Sequence, residues 1–355
     1  MSSDVNIMQR MAKTGQDPNL DILRSVAILA VFAAHALQVS ADRKFGEHFA
    51  YGVETFALGR IGVLLFFVHT SLVLMQSLER TGVNLSGGSL IGHFYIRRAF
   101  RIYPLSVCLV VVSIIFSIPP NALNVSYQWQ GMRWVLSNIL FIQNITGVDS
   151  VSSPMWSLPF EVQMYLLLPL LFLVVKAPRG RAHLPLIYIV GLVLSLIHPL
   201  FRYFPCFLAG IIAYKLLETE SPRFPAWLWG PVVISAAVLY VLAPFSDTSW
   251  AKDVLTCMAV ALLIPLFQRR SGPIATAASH LARHSYGVYL CHMPIMWLLY
   301  RKLAIPAWQR GIWLVIATGF VSVACYFAIE EPLIRTGTRL ANRMFVKQRV
   351  SAAAA

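Results

Sequence analysis

An arginine and a histidine, Arg24 and His35, stand eleven residues apart in the first apolar run of the chain, at residues 20–38. An α-helix turns 100° per residue, so this spacing places both side chains within about 20° of one face and about 16 Å apart along the axis. Ionisable side chains are costly inside a bilayer and usually have a function there. A histidine can serve as a general base, and an arginine can bind phosphate groups.

Each residue taken alone has a simpler explanation. Arg24 can anchor the helix at a membrane surface, where its long side chain reaches the headgroups. His35 can be a packing residue that is satisfied by a neighbour in the core. Because the two side chains share one face and flanking motifs accompany them, we favour a functional interpretation of the Arg24/His35 pair.

A basic cluster with the sequence FYIRRAFRIYP lies at residues 94–104. Arg98 and Arg101 in this cluster are one helical turn apart and share a face. A membrane anchor on the cytoplasmic side explains part of this signal. Since arginine is suited to bidentate phosphate binding, we predict that this pair, near Arg24, holds a phosphorylated cofactor.

Four further residues accompany a candidate second catalytic residue, Glu161. This carboxylate stands at the start of an apolar helix, where the helix dipole also favours an anion. Trp156 and Tyr165 flank it and belong either to an interfacial aromatic belt or to a substrate site. His69 and His292 lie in apolar runs and either form core hydrogen bonds or contact substrate. We predict that these four residues bind substrate.

Composition indicates the kind of element that must hold these residues. Of the 355 residues, 57% are hydrophobic and 12% are charged, and the mean hydropathy is +0.66. Soluble domains carry about 25% charged residues, so we predict an all-α, polytopic membrane protein. Apolar runs that are long enough to span a bilayer occur at ten places, namely 22–40, 61–78, 102–118, 161–176, 184–200, 203–217, 226–244, 253–267, 286–300 and 311–329.

A further run at residues 134–145 is short and contains Asn138, Gln143 and Asn144, so we expect a re-entrant or interfacial helix. With ten spans and a cytoplasmic N-terminus, about two thirds of the 29 lysines and arginines fall on the cytoplasmic side, as the positive-inside rule requires. Both termini are then cytoplasmic.

The expected domain organisation is simple. We predict a cytoplasmic segment at 1–19, a ten-helix membrane domain at 20–335 and a cytoplasmic tail at 336–355. The sequence IEEP near the end of the last run suggests that a helix ends at Glu331 and Pro332.

The cysteines and the net charge exclude other classes of protein. The five cysteines lie in or against apolar runs without metal-site spacing, so we expect neither disulfides nor a metal site. The net charge of +14 would suit a nucleic-acid-binding protein, but in a membrane protein a basic excess reflects loop orientation and contact with anionic lipids.

Six segments, in order along residues 20–335, together resemble the acyltransferase 3 family of membrane acyltransferases. They are LDILRSVAILAVFAAH, GVLLFFVHTS, RRAFRIYP, PMWSLPFEVQMYLLLP, SYGVYLCHMP and EEP. The first segment matches that family's signature of an arginine, ten residues and a histidine, with Arg24 and His35 in the two positions. The second segment departs from the family, which commonly has Ser-Gly where this chain has Thr70 and Ser71.

This resemblance implies ten spans and transfer of an acyl group, most often acetyl, from cytoplasmic acyl-CoA to a hydroxyl. Acyl-CoA would be a co-substrate, with no permanently bound cofactor, and its phosphates would lie among Arg24, Arg98 and Arg101. His35 would act as general base or as acyl relay, assisted by Glu161. The acceptor would be a carbohydrate, a glycolipid or a small hydroxylated molecule, and the location a bacterial inner membrane in contact with lipid.

A different class of protein, a transporter or flippase of a lipid-linked sugar, also has many spans and intramembrane polar groups. Such proteins are expected to show inverted repeats and interrupted helices at matched positions. The sequence shows no such symmetry, which favours the acyltransferase. A transporter or flippase is kept as the alternative.

Overall fold

The computed structural model describes residues 17–41, 53–121, 126–177, 180–243 and 250–346. Within these ranges nearly all regular structure is helical, and β structure is limited to an isolated bridge between Phe224 and Phe267. The predicted all-α class is therefore confirmed for this part of the chain. Most of the expected N-terminal segment, and residues 347–355 of the expected tail, lie outside the described residues.

The described chain forms helices that we number in chain order. They are α1 (Pro18–Ala41), α2 (Val53–Gly82), α3 (Gly87–Ile115), α4 (Met132–Leu140), α5 (Gln143–Thr146), α6 (Leu158–Lys176), α7 (Gly180–Ile197), α8 (Phe204–Leu216), α9 (Trp229–Leu242), α10 (Trp250–Leu263), α11 (Pro273–Trp297), α12 (Ala307–Cys325) and α13 (Glu331–Ala341).

Five segments of the described chain combine spanning length with high hydropathy. They are Pro18–Ser40, Glu54–Gly82, Gly87–Ile115, Ser153–Lys176 and Ala307–Val346. The other predicted spans also overlap helices, but α8 and α10 have only 13 and 14 residues. Because a straight helix needs about 20 residues to cross a bilayer, the number of ten spans stays a prediction.

The predicted helix end at Glu331 and Pro332 is wrong. A π-helical segment, Tyr326–Glu330, joins α12 directly to α13, and Pro332 lies in the first turn of α13. Proline removes one backbone donor, and a π-helical segment rearranges the local hydrogen bonds, so the helix continues past the proline.

The short run at 134–145 forms two short helices, α4 and α5, separated at Phe141. Phe141 has a left-handed backbone with a φ of 55°, which ends α4 after nine residues. At 1.5 Å per residue, nine residues extend about 14 Å, which is too short to cross a bilayer. The interfacial or re-entrant position of this segment stays a prediction.

The core is built around close contacts of α1 and α2. A Cβ at Gly62 on α2 would lie 2.6 Å from the Ala27 carbonyl oxygen on α1, so only glycine fits at this crossing. Gly210 on α8 packs in the same way against the Val68 backbone and Ser71 of α2. Small residues at helix crossings are typical of packing within membranes.

The outer surface of the bundle carries large apolar side chains. Ile197 on α7, Leu242 on α9 and Phe320 on α12 are 72%, 71% and 74% exposed. Exposed apolar surface of this extent, on helices that are themselves apolar, belongs against lipid hydrocarbon. The protein is therefore an integral membrane protein.

Candidate active site

Two helices that run in the same direction, α1 and α11, hold the Arg24/His35 pair. Near the start of α1, Arg24 Nε donates to Ser285 Oγ at 2.7 Å. Eleven residues further along α1, His35 Nδ1 lies 3.1 Å from Nε2 of His292. Both side chains therefore face α11 inside the bundle.

The hydrogen bonds of the two imidazoles assign their protons. His292 Nδ1 lies 2.9 Å from the Val288 carbonyl oxygen, which only accepts, so this nitrogen carries the proton. In the neutral ring His292 Nε2 is then an acceptor, and His35 Nδ1 donates to it. This leaves His35 with an unprotonated Nε2, the atom that a general base or a nucleophile requires.

A cavity of about 460 Å³ adjoins His35, and we call it the histidine cavity. Its lining includes Gln38 on α1, Arg60 on α2, Trp156 before α6 and Tyr289 on α11. Sites for small molecules are typically 300–1,000 Å³ and combine apolar walls with a few polar groups. The histidine cavity has the volume of a substrate site.

One wall of the histidine cavity is aromatic. The ring centroids of Trp156 and Tyr203 are 5.4 Å apart, and Phe160 packs edge-on against Tyr203 at 5.0 Å. Trp156 thus lies in the same cavity as His35, where its predicted contact with substrate is geometrically possible.

Charged residues line the histidine cavity near its aromatic wall. Arg60 Nη2 forms an ion pair with Asp253 Oδ2 at 2.5 Å, and Tyr240 donates to Asp253 Oδ1 at 2.7 Å. Lys252 Nζ lies 4.2 Å from the centroid of the Tyr240 ring. The buried Asp253 carboxylate is therefore paired and hydrogen-bonded, as a buried charge must be.

A second cavity, of about 50 Å³, contains Arg24 and Glu161, and we call it the arginine cavity. Glu161 Oε1 accepts hydrogen bonds from the Tyr165 hydroxyl and, at 3.4 Å, from Thr70 Oγ1. Ser285, the partner of Arg24, also lines this cavity. The fold thus brings the predicted site residues Arg24 and Glu161 into one small cavity, and the predicted Tyr165 is hydrogen-bonded to Glu161.

The two cavities share Tyr289 and Val63 in their linings. The Tyr289 hydroxyl is hydrogen-bonded to Ser157 Oγ at 2.7 Å and also donates to the Pro154 carbonyl oxygen. Glu161 lines the arginine cavity and not the histidine cavity, whereas His292 is hydrogen-bonded to His35.

The two arginines of the basic cluster have different neighbours. The Arg98 guanidinium lies 5.9 Å from the Phe94 ring centroid, and its buried Nε has no hydrogen-bond partner among the described residues. Arg101 Nη1 lies 3.7 Å from Oε2 of the buried Glu330. A phosphate group would meet an unpartnered donor on Arg98 but would compete with Glu330 for Arg101.

His69 lies outside both cavities, and three residues that the sequence analysis did not select lie at the site. His69 is buried in α2 beside Thr70 and is in the lining of neither cavity. Arg60, Asp253 and Tyr289 were not predicted. Arg60 and Asp253 border apolar runs, so the criterion of intramembrane charge that selected Arg24 would also have selected them. Tyr289 gave no comparable signal, because tyrosines are frequent in membrane helices.

Known proteins resemble this chain along most of its length. Peptidoglycan O-acetyltransferase OatA of Listeria monocytogenes is 28% identical over 90% of this chain and 56% of its own length. Acyltransferase MdmB of Streptomyces mycarofaciens is 26% identical over 86% of each chain. Putative peptidoglycan O-acetyltransferase YrhL of Bacillus subtilis is 23% identical over 93% of this chain.

The chain spans only a little over half the length of OatA and of YrhL, at 56% and 57%. No solved structure matches it. A family model described as an acyltransferase domain matches residues 17–331, a range that contains both cavities and every predicted site residue. This match covers well over half of the sequence, and the chain belongs to the acyltransferase 3 family.

Proposed function

We propose that this protein is a membrane O-acyltransferase that moves an acyl group, most simply acetyl, from acyl-CoA to a hydroxyl of a carbohydrate-containing acceptor. The observation that carries the proposal is His35, whose Nδ1 is hydrogen-bonded to His292 and whose ring lines a cavity of substrate size. The names of OatA and YrhL, both peptidoglycan O-acetyltransferases, support a carbohydrate acceptor.

The histidine cavity is proposed as the acceptor site. Its volume of about 460 Å³ suits a molecule the size of a small saccharide. Trp156 and Tyr203 supply aromatic faces, and Arg60, Gln38 and Lys252 add polar groups that can recognise hydroxyls. The nature of the lining therefore favours a polyhydroxylated acceptor over a purely apolar one.

The proposed reaction uses His35 Nε2 as a general base. This nitrogen removes the proton from the acceptor hydroxyl while the hydroxyl oxygen attacks the thioester carbonyl. The carbon–sulfur bond then breaks, and the CoA sulfur takes the proton from the imidazolium, which gives an ester and free CoA. General base catalysis of this kind contributes about 10²–10⁴ in rate.

An acyl-histidine relay would use the same nitrogen. His35 Nε2 would attack the thioester and release CoA, and the acceptor hydroxyl would then attack the acyl-imidazole. The two routes differ in one observable: only the relay releases one equivalent of CoA before any acceptor is added.

The donor is proposed to approach from the end of the bundle where α1 begins. Arg24 lies near this end. Arg98, in the basic cluster at residues 94–104, has an Nε without a hydrogen-bond partner among the described residues. This orientation places the N-terminus of α1 in the cytoplasm, where acyl-CoA is made, and fits a bacterial inner membrane. A thioester that reaches His35 from this side must pass Tyr289, which lines both cavities.

The test uses purified protein in lipid nanodiscs with acetyl-labelled acetyl-CoA and a panel of peptidoglycan disaccharides. We expect labelled ester and free CoA in equal amounts. His280→Ala serves as a control for variants of His35 and His292, because His280 is an exposed histidine on α11, the helix that carries His292. A protein that neither binds acetyl-CoA nor releases CoA, but moves a lipid-linked sugar across the bilayer, would contradict the proposal.

A further inference from the structure

A third cavity, of about 250 Å³, lies where the last turn of α2, the first half of α3 and the segment Asn342–Val346 meet. Because α2 packs antiparallel to α1, this position is at the same end of the bundle as Arg24. Its lining includes Arg80 from α2, His93 and Arg97 from α3, and Asn342. We call it the basic cavity.

The basic cavity has a net positive charge. Its lining contains Arg80 and Arg97 and no acidic residue. Within the described residues, neither arginine has a carboxylate oxygen within 4 Å. The carboxylate next to Arg80 in sequence, Glu79, forms an ion pair with Lys176 and so is already engaged.

Neutral donors accompany the two arginines. His93 Nε2 lies 3.0 Å from Oδ1 of Asn342, which assigns the proton to this histidine nitrogen. The amide nitrogen of Asn342 then keeps its two protons for another acceptor. Two guanidinium groups and an amide donor around one cavity are the groups that bind phosphate oxygens.

The wall that carries Asn342 is held in place by packing. A Cβ at Gly92 on α3 would collide with the ring of Phe345, so the segment Asn342–Val346 lies directly on α3. The absence of a side chain at Gly92 therefore allows the C-terminal segment to close the cavity beside Arg97.

The consecutive residues Arg97 and Arg98 of the basic cluster therefore lie in different surroundings. Arg97 lines the basic cavity, whereas Arg98 packs over Phe94. Neighbouring residues of a helix point about 100° apart, and only Arg97 of this pair lines the basic cavity.

We propose that the basic cavity binds a phosphate ester. Its volume is below that of sites for whole drug-sized molecules, so it holds a phosphate group and its nearest atoms while the remainder lies outside. Two molecules supply this chemistry at this end of the bundle. One is the nucleotide end of acyl-CoA, which rests on the proposed function, and the other is the headgroup of an anionic lipid.

The experiment compares the double variant Arg80→Gln/Arg97→Gln with Arg223→Gln/Arg335→Gln, which removes the same charge. Arg223 and Arg335 are exposed and pair with Glu220 and Glu331 outside the cavity. One arm measures binding of CoA and of 3′-dephospho-CoA to protein in nanodiscs of uncharged phosphatidylcholine. The other arm measures retention of phosphatidylglycerol by native mass spectrometry.

If the ligand is the nucleotide, the double variant weakens CoA binding at least about tenfold, since the loss of even one hydrogen bond to a charged group has an effect of that order. Binding of 3′-dephospho-CoA then falls less if the 3′-phosphate is the bound group. If the ligand is a lipid, CoA binding is unchanged and phosphatidylglycerol is no longer retained. Either result supports a phosphate-ester site.

The proposal is overturned if the double variant binds CoA and retains phosphatidylglycerol as well as the control variant does. Absence of CoA binding by the unmodified protein would instead refute the proposed donor, and the lipid measurement would still decide the basic cavity. The variant Arg80→Lys/Arg97→Lys keeps the charge and should restore most of the binding, and a melting curve of each variant checks folding.

Discussion

The histidine cavity and the arginine cavity lie along the same face of α1 but differ in size and chemistry. The first has about 460 Å³ and an aromatic wall, and the second about 50 Å³ and a lining that includes Arg24, Thr70 and Glu161. A bulky acceptor fits only the first. The second is small, and its Arg24 and Glu161 side chains already form hydrogen bonds with neighbouring residues. Such a space suits the thin, flexible arm of the donor.

One helix, α1, therefore contributes to two cavities that are suited to different parts of a reaction. We expect changes around the histidine cavity to affect turnover and the acceptor, and changes around the arginine cavity to affect the donor.

The largest effect is expected for His35→Ala. Loss of the proposed general base should lower kcat by about 10²–10⁴ while acetyl-CoA binding stays unchanged. Steady-state transfer and equilibrium binding of acetyl-CoA, measured on the same preparation, check both parts. Normal transfer by His35→Ala would refute the catalytic role of this residue.

The next effect is expected at His292, which we propose positions His35. His292→Leu removes the acceptor for His35 Nδ1 and should lower kcat about 10–100-fold, as loss of a group that orients a reactive imidazole does elsewhere. His292→Gln keeps a carbonyl oxygen in this region and should retain more activity. Equal loss in both variants, with an unchanged pH profile, would indicate a role in packing alone.

A smaller effect is expected for Arg24→Gln, in the arginine cavity. It removes a charged donor and should raise the KM for acetyl-CoA about tenfold, with little change in the KM for the acceptor. Because Glu161 loses a cationic neighbour, a thermal melting curve must accompany the kinetics. A change confined to the acceptor KM would reverse the proposed assignment of the two cavities.

The smallest effect is expected for Trp156→Ala. Aromatic contacts contribute about 0.5–1.5 kcal/mol beyond their buried area, so the acceptor KM should rise severalfold. The KM for acetyl-CoA should stay the same, because Trp156 is absent from the lining of the arginine cavity. Phe160→Ala, which alters the packing behind Tyr203, provides a comparison for indirect effects.

Local patterns predicted the helices better than the contacts between them. Each apolar run overlaps a helix because hydropathy and length are properties of a continuous stretch of chain. The continuation of α12 through Pro332 was missed, because it depends on a π-helical segment that no local residue pattern announced. The separate neighbours of Arg98 and Arg101 were missed because the carboxylate near Arg101 is Glu330, more than 200 positions away.

That Arg24 and His35 share one face of one helix follows from their spacing in the sequence, since rise and rotation per residue are constants of the α-helix. Tertiary structure alone decided that His35 meets His292, 257 positions away, and that Glu161 lies with Arg24 instead. Such contacts depend on how whole helices pack, which is decided by the summed fit of many side chains and by small residues such as Gly62 at the crossings.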